Sequence, residues 1–428
     1  MKFKSISMLL AALLLYAPCT VRAQETTTPK AIADALAARP NAAAADKLAQ
    51  QIRTLAGKQD LTKGLRPQVQ FVAENAVVVF AIQTPSGTPA VEFTQNGSTL
   101  NTVLSPTFVK VGNTDVYLAT ITFGKVADPK FPTGVGMDYS YMVDGKRMGG
   151  AHFEAYPSNP DLETDPTAPK GKLMQMPNWQ SKIFENTDRT WWVYVPAQYK
   201  PENPACVMIY QDGGGYRENV SRVFDRLIAK GDMPVTVGIF IDPGKEINGL
   251  HAPGGRGERS FEYDTRSDRY SRFLLEEILP EVEKTVKLKH DAASRAVAGL
   301  SSGASCAFTC CWYKPDQFSK VLSWIGSYTD LASGESGIEG AHNYPFLIRR
   351  LPDNNPRTKI RVFLQDGGND LDNPYGDWPL ANQEMAKALA FKHMDYMFVF
   401  GGGNHSGSHG TAILPESLRW LWRDYPKQ

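Results

Sequence analysis

The stretch Ala296-Val297-Ala298-Gly299-Leu300-Ser301-Ser302-Gly303 joins a short apolar strand to a helix-forming segment that continues to about Tyr313. Its second half has the pattern G-x-S-x-G. The two glycines remove side chains that would collide across a tight turn, which is how a nucleophile elbow exposes a serine at the end of a buried strand. We therefore predict that Ser301 is a nucleophile. Ser302, at the start of the helix, is predicted to offer its N–H to a developing oxyanion.

Strands and helices alternate on both sides of this elbow, from about residue 178 to the end of the chain. Predicted strands are 190–195, 205–210, 235–241, 296–300, 321–325, 360–364 and 396–400, and predicted helices are 220–230, 271–285, 302–313 and 418–425. Several of the strands are almost continuously apolar, as expected of a sheet that is covered on both faces. The alternation predicts a catalytic domain of the α/β class with a mainly parallel sheet.

A nucleophilic serine needs a base and an acid that orients the base. The segment Gly401-Gly402-Gly403-Asn404-His405 directly follows a predicted strand, which favours His405 as the base over the more distant His409. Strand 360–364 is followed by three carboxylates. Asp370 has the reach expected of the orienting acid, Asp372 is the alternative, and Asp366 fits a turn-capping role.

The loop after strand 205–210 contains three glycines, Gly213 to Gly215, which let the backbone approach a substrate closely. A second oxyanion N–H is expected there, from Gly214 in the first place and Gly213 in the second. Four aromatic side chains lie in loops or at strand ends nearby and are candidates for stacking on an aromatic acyl group or a sugar ring. They are Tyr216, Trp324, Tyr328 and Trp378.

The N-terminal part of the chain has a different organisation. Residues 24–64 form an Ala-rich leader with two predicted helices, interpreted as loosely docked or as an arm that covers a neighbour or the active site. Residues 65–155 contain short strands and the hairpin pairs Asn96-Gly97 and Asp144-Gly145, which predict a small β-sandwich of structural or sugar-binding function. Residues 156–177 hold five prolines and are expected to be an extended linker to the catalytic domain at 178–428.

The first 23 residues have the features of a cleaved signal peptide: Lys2 and Lys4, an apolar run from Met8 to Tyr16, and Val21-Arg22-Ala23. We therefore expect a periplasmic or secreted protein with no membrane segment after cleavage. The whole chain of 428 residues has 46 basic and 45 acidic side chains. Such a balance argues against a nucleic-acid-binding protein.

Few cysteines remain after the signal peptide, and their spacing does not match a metal site. They are Cys206, Cys306, Cys310 and Cys311. We favour buried core positions for them over a disulfide bridge.

The catalytic part resembles the esterase-D-like α/β-hydrolases, the group that includes enterochelin esterases and feruloyl or acetylxylan esterases. The resemblance rests on the elbow 299–303, on Gly368-Asn369-Asp370, on the turn 401–405 and on the segment 259–264 before a long helix. Many relatives have His-Gly where this chain has Asp212-Gly213, and Asn404 separates the glycines from the histidine. The sandwich resembles the immunoglobulin-like domain that precedes some esterase domains.

This resemblance implies hydrolysis of a carboxylic ester through an acyl-enzyme, without a metal or cofactor. The favoured substrate is a feruloyl or acetyl ester of plant cell-wall polysaccharide. One alternative is a ferric siderophore of the enterochelin type, whose negative charge would be met by Arg217, Arg256 and Arg259. An acyltransferase and an inactive surface carbohydrate-binding protein are further alternatives. The oligomeric state is left open.

Overall fold

The structure is a computed structural model that describes residues 27–95, 98–99, 106–247, 257–332 and 340–426. The predicted signal peptide and the predicted hairpin turn at Asn96-Gly97 lie outside these ranges. None of the helices within the described ranges has the length and apolar character needed to cross a membrane.

The leader consists of two helices, α1 (Pro29–Ala37) and α2 (Ala42–Ala56). The side chains of Thr28 and Asn41 cap their first turns by accepting backbone N–H groups. Apolar side chains on one face of the leader are buried against the neighbouring sheet, among them Ile32, Leu48 and Ile52. The leader is therefore packed onto the domain that follows it rather than loosely docked.

Two four-stranded antiparallel sheets follow the leader. Their strands are β1 (Gln68–Val72), β2 (Asn75–Gln83), β3 (Pro89–Gln95), β4 (Ser98–Thr99), β5 (Val109–Lys110), β6 (Val116–Phe123), β7 (Val135–Val143) and β8 (Lys146–Ala155). The strand orders are β1-β2-β6-β5 and β4-β3-β7-β8. Phe80 of one sheet packs edge-on against Phe93 and Tyr139 of the other, in a core that the two sheets share. An immunoglobulin-like topology stays a prediction.

The predicted catalytic domain contains an eight-stranded sheet with the order β21-β18-β17-β16-β13-β14-β12-β9. The strands of this part of the chain are β9 (Lys172–Gln175), β10 (Trp179–Gln180), β11 (Thr187–Arg189), β12 (Trp191–Val195), β13 (Cys206–Gln211), β14 (Thr236–Ile241), β15 (Lys245–Glu246), β16 (Arg295–Leu300), β17 (Lys320–Trp324), β18 (Arg361–Asn369), β19 (Asp372–Asn373), β20 (Gly376–Asp377) and β21 (Tyr396–Asn404). From β14 to β21 neighbouring strands are parallel, whereas β12 and β9 add antiparallel pairs at one edge. The end of the predicted linker thus joins the sheet as β9.

Helices cover both faces of this sheet. They are α3 (Arg217–Ala229), α4 (Glu258–Asp264), α5 (Arg269–Phe273), α6 (Leu279–Glu283), α7 (Ser302–Tyr313), α8 (Tyr344–Arg349), α9 (Trp378–Phe391) and α10 (Ser408–Leu421). Side chains of α7 and α9 belong to the core on one face, and those of α3 and α10 to the core on the other. The four cysteines are free and buried.

The parallel strands bring the loops of interest to one edge of the sheet. The oxyanion loop follows β13, Ser301 follows β16, Asp370 follows β18 and His405 follows β21. In a parallel sheet the carboxyl ends of all strands meet at the same edge, which is where open α/β proteins place their sites.

Candidate active site

Ser301 occupies the tight turn between β16 and α7 with φ 58° and ψ −127°. A side chain rarely adopts this backbone conformation, so the surrounding structure must hold it. The Ser301 N–H donates to Trp324 O at 3.0 Å, and the Ser327 N–H donates to Ser301 O at 3.1 Å. A Cβ built on Gly299 would lie 2.3 Å from the carbonyl carbon of Gly303, so glycine is required where the strand and helix cross.

Three predicted residues form a hydrogen-bonded chain at this edge of the sheet. His405 Nε2 lies 2.8 Å from Ser301 Oγ, and His405 Nδ1 hydrogen-bonds Asp370 Oδ1. Asp370 is buried, and its backbone N–H donates to Gly367 O at 3.1 Å, which fixes the turn after β18. With Nδ1–H donated to the carboxylate, Nε2 is free to accept the serine proton, as a general base must.

The alternative acid and base occupy different positions. Asp372 is exposed and lies in the two-residue strand β19, opposite Asp377. His409 is buried. Its Nε2–H donates to Pro132 O at 2.8 Å, and its Nδ1 lies 3.2 Å from Gln365 Nε2. The surroundings of both side chains favour Asp370 and His405 as the acid and the base.

Asp366, which sequence reasoning assigned to a turn, is a second buried carboxyl group beside the acid. Its Oδ1 accepts the Gly367 N–H at 2.8 Å, and its Oδ2, like Oδ2 of Asp370, is buried without a hydrogen-bond donor. Burial, together with the neighbouring Asp370 carboxyl group, raises the pKa of Asp366 well above its usual value. We therefore expect Asp366 to hold a proton at neutral pH and to share it with the carboxylate that orients His405.

The predicted oxyanion donors differ in their surroundings. Ser302 is the first residue of α7, so its N–H is one of those that no carbonyl within the helix accepts. The Gly214 N–H, in contrast, donates to Asp242 Oδ1 at 2.8 Å. Burial raises the pKa of Asp242, and the nearby Asp212 adds to the shift. For Gly214 to bind an oxyanion, the Asp242 carboxyl group would have to move away.

The loop that carries Gly214 is anchored by α4. Arg259 forms a two-pronged ion pair with Asp212, with contacts of 2.9 and 2.8 Å. The helix itself is held by a fully buried pair, in which both terminal nitrogens of Arg189 donate to Glu262 at 2.8 Å. Because a buried charge is costly without a partner, this pair fixes α4, and with it the position of Asp212.

The predicted substrate-stacking rings are mostly buried. Trp324, Tyr328 and Trp378 are each only 2% exposed, so none of them offers a ring face to a ligand. Tyr328 hydrogen-bonds Ser323 at 3.0 Å. Only Tyr216 of the four is partly exposed, and its ring packs edge-on against Trp324 at 5.8 Å.

Trp378 is buried next to the predicted catalytic residues. Its ring meets His405 edge-on at a centroid distance of 5.8 Å, and its indole N–H donates to Ser327 Oγ at 3.1 Å. Ser327 Oγ in turn lies 3.2 Å from Ser301 Oγ. Sequence reasoning did not identify Ser327 or Asp242, since no motif marks either residue.

In the part of the chain that the structure describes, no group of three or more His, Cys, Asp or Glu side chains is arranged to hold a metal ion. The fold is that of the α/β-hydrolases, and a serine, a histidine and an aspartate side chain meet at the strand ends.

Comparison with known proteins gives the family. The family model described as putative esterase matches residues 181–397, about half of the chain. The chain therefore belongs to the putative esterase family and is a carboxylic-ester hydrolase. The predicted family resemblance and fold class are confirmed.

Individual relatives are distant. The chain is 23% identical over 312 residues to the iron(III) enterobactin esterase of Dickeya dadantii (strain 3937), covering 69% of this chain but only 65% of that protein. It is 22% identical over 261 residues to the uncharacterized protein YjcH of Bacillus subtilis (strain 168), covering 59% of this chain and 98% of that protein. The crystal structure of the enterobactin esterase FES from Shigella flexneri, determined in the presence of 2,3-di-hydroxy-N-benzoyl-serine, aligns with a TM-score of 0.53 at 17% identity and covers 83% of this chain and 96% of that chain. At this identity the structural likeness concerns the fold.

The protonated state of Asp366 is tested by two substitutions. Asp366→Asn keeps a donor for Asp370 and should retain kcat within a few-fold. Asp366→Ala leaves a buried carboxylate oxygen unpaired, at a cost of about 1–3 kcal/mol, and should lower kcat about tenfold or more.

The stability of the Asp366→Asn variant relative to the unsubstituted protein should depend on pH. The pKa of Asp366 is higher in the folded than in the unfolded state, so its contribution to the unfolding free energy falls as pH rises above the unfolded value. The asparagine variant lacks this loss. Its melting temperature relative to the unsubstituted protein should therefore rise between pH 4 and pH 7. Equal losses of kcat in Asp366→Asn and Asp366→Ala would contradict a protonated Asp366. A melting temperature of Asp366→Asn that falls relative to the unsubstituted protein as pH rises would contradict it as well.

Proposed function

We propose that the protein is a secreted or periplasmic serine esterase that acts through an acyl-enzyme, most favourably on a hydroxycinnamoyl ester such as a feruloyl group of plant polysaccharide. The observation that carries the serine mechanism is the hydrogen-bonded chain from Ser301 through His405 to Asp370, with Ser301 Oγ 2.8 Å from His405 Nε2. The proposed location rests on the sequence features of residues 1–23.

In this mechanism Ser301 Oγ attacks the ester carbonyl while His405 Nε2 takes its proton. His405 then returns the proton to the leaving alcohol, and a water molecule repeats the sequence to release the acid. Asp370 orients the imidazole and stabilises its charged form. The Ser302 N–H stabilises the oxyanion from the first turn of α7. The Gly214 N–H adds a second donor once Asp242 has moved.

The surface next to the nucleophile supports an aromatic acyl group. Leu300 and Tyr216 are partly exposed and flank the loop after His405. A Cβ built on Gly407 would lie 3.4 Å from Leu300 and 4.0 Å from the Tyr216 ring. This apolar surface would bind the ring of a hydroxycinnamate by burial and aromatic contact.

A ferric siderophore ester is the second candidate, favoured by the two enterobactin esterases among the relatives. Such a substrate is strongly anionic and needs unpaired cations. Arg259 is engaged with Asp212, and Arg217 lies over the Trp192 ring at 4.6 Å with Glu218 3.6 Å away. Arg256 lies outside the described residues. The pairing of the two described arginines favours an uncharged acyl group.

Substitution of the nucleophile tests the mechanism. Ser301→Ala should lower kcat for methyl ferulate and p-nitrophenyl acetate by about 10⁴-fold or more, because the attacking oxygen is lost. Ser86→Ala, at an exposed serine of the N-terminal domain, is the control and should leave kcat unchanged. A folded Ser301→Ala protein with normal turnover would rule out this mechanism.

The acyl preference is tested at Tyr216. Tyr216→Ala should weaken transition-state binding of methyl ferulate by about 1–3 kcal/mol, which is measured as a lower kcat/KM. The kcat/KM for p-nitrophenyl acetate should change little. Tyr117→Ala, which changes a partly buried ring on β6 of the N-terminal domain, serves as the control. Equal losses on both substrates would assign Tyr216 to the loop structure. A higher kcat/KM for ferric enterobactin than for methyl ferulate would replace the feruloyl proposal with the siderophore one.

A further inference from the structure

The loop that carries His405 is enclosed by the N-terminal domain. Strand β21 is the edge strand of the large sheet, and β7 of the N-terminal domain lies against its end. The backbones approach so closely that a Cβ on Gly136 would lie 2.1 Å from Gly402 O. Asn369 bridges the same point, since its side-chain N–H donates to Gly402 O at 2.6 Å and to Gly136 O at 3.4 Å.

One carboxylate of the N-terminal domain binds the residues on both sides of the histidine. Glu154 Oε1 on β8 accepts the Asn404 N–H at 2.9 Å and the Ser406 hydroxyl at 3.4 Å. Asn404 and Ser406 are the immediate neighbours of His405. A displacement of the Glu154 side chain would therefore move the backbone from which the imidazole projects.

Glu154 is itself held firmly. His152 Nε2 lies 2.8 Å from Glu154 Oε1, and the other ring nitrogen lies 2.6 Å from Asp138 Oδ1. The Tyr156 hydroxyl donates to Glu154 Oε2 at 3.0 Å, and the Tyr156 ring stacks on His409. Burial acts to raise the pKa of Glu154, but the bonds from His152, Asn404 and Tyr156 outweigh it and lower the pKa, which keeps the carboxylate charged.

We propose that Glu154 is a positioning residue for His405, so that the N-terminal domain supports catalysis by fixing the loop that holds the base. The inference rests on the proposed serine mechanism. Small errors in the placement of a catalytic group are costly, since a shift of about 1 Å reduces rates by up to about 10²-fold. The Glu154 side chain is only 8% exposed and is therefore not placed to bind a substrate, so its loss should lower kcat rather than raise KM.

Two conservative substitutions separate position from charge. Glu154→Gln keeps the length and an oxygen that accepts the Asn404 N–H, and should retain most of kcat. Glu154→Asp keeps the charge but withdraws the acceptor by one methylene, and should lower kcat about tenfold with KM nearly unchanged. Glu92→Ala, at an exposed glutamate of the same β4-β3-β7-β8 sheet, is the matched control. Each variant is assayed with p-nitrophenyl acetate after its fold is verified by circular dichroism.

The outcomes distinguish this inference from the serine mechanism. A lower kcat for Glu154→Asp than for Glu154→Gln supports positioning. Equal values for the two variants and the Glu92→Ala control overturn it, as does a larger loss for Glu154→Gln, which would assign an electrostatic role. A KM effect without a kcat effect also overturns it. If the unsubstituted protein hydrolyses no ester, or if Ser301→Ala stays active, the serine mechanism itself fails.

Discussion

The contact between Ser301 Oγ and His405 Nε2 spans 104 positions of sequence, and the rest of the site depends on it. It requires a turn after β16 with positive φ and a second loop that starts where β21 ends. Hydrogen bonds from the neighbouring β17 segment hold the first loop. The second loop lies at the sheet edge, where fewer strands support it. The buried carboxyl pair at the end of β18 and the N-terminal domain supply the support that this edge lacks.

The two supports act on different atoms of the same residue. Asp370, backed by Asp366, holds the imidazole through Nδ1, whereas Glu154 holds the backbone on both sides of His405. Together they limit both the rotation of the ring and the displacement of its Cα. Such double restraint is what preorganised catalysis needs, because orientation reached before reaction costs nothing during it.

Much of this arrangement is predictable from the sequence because it depends on local patterns. The glycines around Ser301, the glycine turn before His405 and the carboxylates after strand 360–364 each follow an apolar strand directly. Parallel topology then brings strand ends together. The same local signals left Asp370 and Asp372 in competition, and the burial of Asp370 and its hydrogen bond to His405 distinguish them.

Features that depend on distant packing were not predictable. The rings of Trp324, Tyr328 and Trp378 were candidates for stacking on a substrate, but packing against parts of the chain that are distant in sequence buries them. Strand β8 was indicated only by the hairpin pair Asp144-Gly145 before it, because Gly149, Gly150 and two basic residues weaken its β propensity, and β7 supplies its pairing. Helix 271–285 was expected to be continuous, whereas a π-helical turn at Leu274–Ile278 divides it before Pro280.

The central claim is that His405 activates Ser301, and covalent labelling with a fluorophosphonate tests it most directly. Mass spectrometry of the labelled protein should show one adduct per chain, on the peptide that contains Ser301. The rate of labelling should fall strongly in His405→Ala, because a serine hydroxyl is a weak nucleophile without its base. Labelling at a different serine, or an unchanged rate in His405→Ala, would contradict the account.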